Sequence, residues 1–414
     1  MVFNSLTVDR PEHVPEVAVH AFDYFRDEGL FADPHKRILE LVDAAPPLFW
    51  TPHNGGHWMA VGYEEAFQVL RNPELFSSAL MSAEASAHAI APRLPDGRRI
   101  PMMTPIMMDP PLHTTLRGPL QKTFSPKTVM ALGDKIEQLA ISLVDAVASN
   151  GAADFVAAVT EPLPVRIFLE MMGLPDDRIG EFRSMVREVL EPRGLDPVAE
   201  VMRMRRIGDA MLDQILARRD DPEDDIISLL WSVEIDGEPM TLELMEDYCC
   251  LLFVAGLDTV INAMTYGIRH LARNPALQAQ LRADPDAIVE ATEELLRLYS
   301  FTGPVRRVTR DTKLAGNDLH EGDIIFVYLG GVDLDPREFP QPGSFDLGRE
   351  NKNHLIFGAG PHRCLGSHLA RIELKTLYRV VLERLPEFRM DPDERPVFHP
   401  GNVLSVSKLP IRWD

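Results

Sequence analysis

Apolar residues recur three and four positions apart near 127-149, 162-173, 196-219, 241-273, 285-299 and 366-384, which predicts that most of the fold is helix. Strand patterning is scarcer. Leu48 to Thr51 and His57 to Val61 flank an Asn54-Gly55-Gly56 turn and read as a hairpin. Thr312 to Ala315 with Ile324 to Tyr328 reads as a second, and Phe388 to Met390 with Leu404 to Ser407 as a third pair. The prolines fall mostly between periodic segments, as helix boundaries, and no Gly/Ser linker, low-complexity tract or repeat divides the chain. The expected fold class is therefore mainly α: a single large helical domain over 1-414 with a small β-rich region, its first twenty residues, 1-20, a loosely ordered arm.

Composition narrows the partners. A chain of 414 residues, 45% hydrophobic and 25% charged, can bury a large core. Its formal net charge of -21 argues against nucleic acid, which is held by excess Lys and Arg. The first residues lack the basic and apolar regions of a secretory signal, and no stretch approaches the ~20 uncharged apolar residues that cross a bilayer. The reading is a cytoplasmic protein with no membrane partner. Of three cysteines two are adjacent, Cys249 and Cys250, so a disulfide framework or structural zinc cluster is not expected. No G-x-G-x-x-G follows a strand, so a dinucleotide-binding domain is not indicated.

The chemistry concentrates in two segments. His354 to Arg371 places the lone Cys364 between Gly360 and Gly366, directly before a helix. A thiolate there is stabilised by the helix dipole and free N-H groups, and flanking glycines let the backbone approach a flat ligand. By itself a lone cysteine reads as an inert core residue. In the long helix over 241-273, Asp258 and Thr259 interrupt the apolar run Val254-Ala-Gly-Leu257, and small Ala255 and Gly256 would let a planar cofactor pack on the backbone. A local widening of that helix is expected, the alternative being a solvated aspartate beside a back-bonding threonine. Glu294 and Arg297 stand three apart and can pair on one helix face.

Together these segments resemble the cytochromes P-450. Phe357, Gly360, His362, Cys364 and Gly366 match the haem-binding signature F-x-x-G-x-x-x-C-x-G, and Ala255-Gly256-Leu-Asp258-Thr259 is similar to the A/G-G-x-D/E-T motif of the oxygen-side helix. Glu294-x-x-Arg297 resembles the family's structural pair, with Arg349 its third member. The resemblance covers about residue 20 to the C-terminus. It is strongest to the camphor-hydroxylating branch, through Met108-Asp-Pro-Pro111 and Glu161 to Phe168. It departs at Gly331 to Pro336, where A-N-R-D-P is common.

The resemblance implies a monooxygenase carrying haem b, with Cys364 as the axial iron ligand and electron-donating thiolate. It implies that His113, Arg117, Arg306 and His362 hold the haem propionates, with Arg306 favoured over Arg307 by its spacing to Asp311. Asp258 and Thr259 become the catalytic residues, relaying protons and handling dioxygen and its water. Pro101, Met103, Ile106, Leu251, Val254 and Val403 become the substrate pocket. The camphor hydroxylase's anchoring tyrosine corresponds to Pro101, so a small hydrophobic substrate of terpenoid or norisoprenoid kind is expected, against Met102, Met103, Ile106, Met107 and Met108. The partners implied are O2 and, since no flavin or iron-sulfur motif occurs, a two-iron two-sulfur ferredoxin with its reductase. The ferredoxin would dock on Arg363, Arg371, Lys122 and Lys352 of a monomer. The alternatives are a peroxide-driven peroxygenase, which has no need of Asp258 and Thr259, and a non-enzymatic haem sensor or ligand carrier, which would carry a signalling domain.

Overall fold

The computed structural model describes residues 7-80, 97-99, 101-190 and 197-414. The six periodic segments become α2 (Gly133–Ala148), α3 (Pro162–Met172), α5 (Pro197–Asp220), α6 (Leu242–Ala272), α7 (Ile288–Leu298) and α8 (Ser367–Arg384); α1 (Leu112–Thr123) and α4 (Ile179–Leu190) form outside them, as do shorter helices such as Pro34–Ala44, Tyr63–Arg71 and Pro275–Ala283. Local chemistry sets several ends. Thr241 caps α6 by accepting from Leu244 N-H, and α3 stops at Gly173, whose φ of 68° suits glycine.

With 31 residues α6 is about 46 Å long and apolar on every side, the pattern of a helix enclosed by others. By length and composition it could cross a bilayer, with mean hydropathy 1.5 over its most apolar window, but 72% of that window is buried inside the fold. The helices α3, α5, α7 and α8 pack around it. Every chemical segment found in the sequence is therefore referred to one rigid axis.

The main sheet has the order β1-β2-β5-β4-β3 and is built from β1 (Leu48–Thr51), β2 (His57–Ala60), β3 (Phe76–Ser77), β4 (Val305–Val308) and β5 (Ile324–Val327). The first expected hairpin forms, with Trp50 opposite Trp58. The other two expected pairings are corrected. Thr312–Leu314 pairs with Asn317–Leu319, because Ala315 and Gly316 both take positive φ (49° and 79°) and make a two-residue turn, which frees β5 to lie between β2 and β4. Phe388–Met390 pairs with Pro410–Trp413, while Ser405–Lys408 pairs with Val397–His399.

The loosely ordered arm is also corrected for residues 7-20; residues 1-6 lie outside the described part. Val14 and Ala18 are buried, His20 N-H donates to Trp50 O at 3.0 Å, and His13 meets Asp323 at 3.0 Å. Burying those apolar side chains against the sheet fixes the arm.

Candidate functional site

Cys364 sits where a tight loop feeds α8. The loop is tied by Gly358 N-H to Leu355 O (2.7 Å), Arg363 N-H to Gly360 O (3.1 Å) and Cys364 N-H to Phe357 O (2.7 Å). Gly360, at φ 69°, is obligatory for packing: a Cβ there would lie 2.4 Å from Leu70 O. Gly366 does face open space, with nothing within 4 Å of a Cβ. Cys364 is exposed, yet deep enough that burial raises its thiol pKa, opposed by the Gly366 N-H and by Arg117, Arg363 and Arg371. Cys249 and Cys250 are fully enclosed, and burial raises both thiols far above the ordinary range. Phe357 lies under the Arg371 guanidinium at 4.5 Å.

Beside the thiol the structure gathers basic side chains whose charged forms disfavour one another. His113 and His362 have ring centroids 4.0 Å apart, and Arg117 reaches the Arg363 carbonyl. Burial, then Arg117 and Arg306, lower His113 to about 4; burial, then Arg306, His113 and Arg117, lower His362 to about 3. Arg306 is 6% exposed and lowered to about 10 by burial, with one side-chain hydrogen bond, to Val305 O, and no ion pair among the described residues. Both ring nitrogens of His113 are buried without a partner among the described residues. Arg307, next to Arg306, instead turns to Ala79 O at 3.2 Å. Buried donors of this kind call for an anion with several oxygens.

Across the fold α6 presents Ala255 and Gly256, exposed within a largely buried helix, and a Cβ on Gly256 would meet nothing within 4 Å. The expected widening is absent: the helix is regular, and Thr259 Oγ1 donates to Ala255 O at 2.9 Å. Back-bonding was the alternative reading, and here it satisfies a hydroxyl that has no other partner among the described residues. Asp258 is not solvated. Burial raises it to about 7, opposed by Thr259 N-H and Arg203 of α5, and it borders an apolar space lined by Val186, Phe253, Val254 and Leu257. A carboxyl half-protonated near neutrality can both give and take a proton.

Residues 200-413 match the Cytochrome P450 family. Probable cytochrome P450 127A1 of Sinorhizobium fredii is 33% identical to the chain over 414 residues, 97% of this chain and 96% of that protein. The chain belongs to the cytochrome P450 family. The crystal structures of CYP101J2 (TM-score 0.84, 33% identity, 98% of this chain and 100% of that one) and CYP101C1 (TM-score 0.87, 29% identity, the same coverage) share the fold throughout. As a P450 it is a monooxygenase-type oxidoreductase whose cofactor is haem iron with a cysteine axial ligand. The open-sided Cys364, unpartnered His113 and buried Arg306 fit that cofactor.

In this P450 the remaining sequence candidates fall into two groups. Glu294, Arg297 and Arg349 meet as a buried triad, with Arg297 on both carboxylate oxygens at 2.9 and 2.8 Å and Arg349 Nε at 3.0 and 3.1 Å. Leu251 is buried, Val254 and Val403 half-buried, Met103 half-buried and Ile106 exposed. Pro101 is different: it is buried against Gly208 of α5, where a Cβ would lie 3.0 Å from its Cγ.

Sequence reasoning missed Asp333, which replaces the usual asparagine in the atypical loop. It is fully buried, raised to about 6 by burial, and accepts from Leu355 N-H at 2.6 Å and from Ser300. Its backbone carbonyl accepts from Arg297 at 2.9 Å, so one residue joins the triad to the cysteine loop. The departure at Gly331 to Pro336 was its signal.

Asp258→Asn is expected to lower turnover and flatten its pH profile. In the native enzyme the protonated fraction falls as pH rises through about 7, so a rate limited by proton delivery falls over the same window. The amide cannot titrate. Turnover measured from pH 6 to 8 in both proteins checks this, and parallel profiles would remove Asp258 from proton delivery.

Proposed function

We propose that this P450 inserts one oxygen atom of O2 into a terpenoid- or norisoprenoid-sized hydrophobe, with electrons from a two-iron two-sulfur ferredoxin and its reductase. Cys364 would bind the haem iron through its thiolate, His113, Arg117, Arg306 and His362 would hold the propionates, and the haem would supply the chemistry that activates dioxygen. The observation that carries the reading is the buried Arg306 without an ion pair beside a His113 with both ring nitrogens unpartnered, next to the exposed thiol.

The chain's own residues do the rest. Asp258 would hold a proton at its carboxyl, and the Thr259 hydroxyl, which donates to Ala255 O, would stand next to it on the path that the proton takes. Apolar Val254, Leu257 and Val186 exclude bulk water from that proton path. Of the four residues proposed for donor docking, Arg371 is paired with Glu293 (2.6 and 2.8 Å) and Lys352 with Glu290. Although burial opposes it, hydrogen bonds from His354 and Arg371 hold Glu293 down at about 2. The Lys122 side chain lies outside the described residues. Exposed Arg363 is the member of that set with no ion pair among the described residues.

The substrate class rests on a missing anchor. No tyrosine lies between Tyr63 and Tyr248, and the Tyr248 hydroxyl is spent on Leu116 O at 2.5 Å. A pocket without a fixed donor selects by volume and orients weakly. Spin-state titration with monoterpenes, norisoprenoids and camphor, followed by product analysis, tests this. Camphor is expected to bind poorly or to give several products; tight binding with one hydroxylated product would overturn the proposed pocket.

A further inference from the structure

The segment set against the substrate is fastened at both ends. At one end the Asp247 carboxylate of α6, 1% exposed, accepts Met102 N-H at 2.7 Å and Thr104 Oγ1 at 2.8 Å. Arg99 adds a two-pronged pair, 2.7 Å to each oxygen. Next to it Glu246 binds Arg98 at 2.9 Å and lies 3.4 Å from Arg205 of α5. At the other end the Met108 backbone bonds the His362 ring, and Asp109 accepts from Ser78 N-H at 2.8 Å and from Ser77. Met103 to Met107 therefore runs between an anchor on α6 and an anchor beside the cysteine loop.

We infer that Asp247 is a positioning residue for substrate selectivity, gathering Arg99, Met102 and Thr104 so that the Met103 to Met107 wall stands at one fixed distance from α6. The inference rests on the reading of that segment as pocket wall. The carboxylate is required because it must accept four donors on two oxygens; an amide offers one acceptor and turns its own N-H groups against the Arg99 fork. Asp247 lies about 16 Å, three turns, before Asp258 on the same helix, so loosening it leaves the proton path and the thiol in place. The wall then moves while the chemistry persists.

The test uses holoprotein of the native chain, Asp247→Asn and Thr104→Val, with β-ionone and limonene as probes in spin-state titrations, and product analysis and hydrogen exchange at Met102. Losing a charge-assisted hydrogen bond in Asp247→Asn should weaken the better ligand about tenfold, draw the two dissociation constants together and broaden the products. The thiolate spectrum should persist and the Met102 amide should exchange faster. Thr104→Val should shift the same quantities less. An Asp247→Asn protein with native selectivity and product ratio, or one in which both ligands weaken equally with unchanged products, overturns the inference. If Asp247→Asn fails to fold, Thr104→Val and Arg99→Lys decide, and native selectivity in both is the overturning result. If the native protein shows no thiolate spectrum, the proposed function fails, and native-like Met102 exchange in Asp247→Asn then overturns the clamp separately.

Discussion

Cys364→Ser is expected to abolish the red-shifted Soret band of the reduced, carbon monoxide-bound protein and with it all monooxygenation. The change is chemically large and sterically small. An alcohol lacks the low-pKa, electron-rich sulfur that must stay a thiolate on iron, but it occupies nearly the same volume. The loop should survive, because its ties run through backbone: Cys364 N-H to Phe357 O, Gly358 N-H to Leu355 O, and Arg117 to the Arg363 carbonyl. The Gly366 N-H that faces the sulfur can donate equally to a hydroxyl. A folded protein with altered haem ligation is the predicted product. Cys249→Ala and Cys250→Ala, deep in the core and without an open side, should keep the thiolate band. The experiment is a set of three difference spectra. Retention of the band in Cys364→Ser, or its loss in either control while the protein remains folded, would contradict the assignment.

What was legible in the sequence follows from the range of the forces involved. Helices such as α3 and α7 declared themselves because burial of one face imposes a 3.6-residue period that a single chain displays by itself. The strands over 312-327 and 388-413 did not, because short apolar strands look alike until tertiary competition chooses partners; the Ala315-Gly316 turn decided one case through two positive φ angles. The site was legible wherever chemistry demanded an unusual residue at fixed spacing, as at Phe357 to Gly366. It was illegible where a common residue acquires its role from distant neighbours. Nothing in the sequence shows that Pro101 packs on Gly208 of α5, which lies far from it along the chain. Asp247 carries no signal in the sequence, because Arg99, Met102 and Thr104 converge on it only in the fold. The regular geometry around Thr259 was missed for another reason: the propensities of Gly256 and Thr259 are weak compared with the packing that holds α6 straight.

Glu294→Gln is expected to be the most damaging conservative change outside the haem site. Its two oxygens serve Arg297 and Arg349 together, and also accept from Asp346 N-H at 3.1 Å, with Glu294 and Arg297 wholly buried and Arg349 nearly so. Replacing one oxygen by an NH2 group sets donor against donor and leaves two guanidiniums buried without a negative charge. Breaking one side of a buried ionic cluster costs about 3–5 kcal/mol, against a total stability on the order of 5–15 kcal/mol for a folded domain. The damage should also travel. Arg297 fixes the carbonyls of Asp333 and Pro342 at 2.9 Å each, and the Asp333 carboxylate holds Leu355 N-H at the root of the cysteine loop. Loss of the triad should therefore lower soluble yield, reduce Tm by ~5–10 °C and leave protein that loses haem on gel filtration. Glu293→Gln on the same helix removes a carboxylate that is about one-fifth exposed and bound to Arg371 and His354, and solvent can replace part of what is lost. Its Tm should fall much less. Equal effects of the two substitutions on Tm and haem retention would mean that burial of the triad is not what makes Glu294 indispensable.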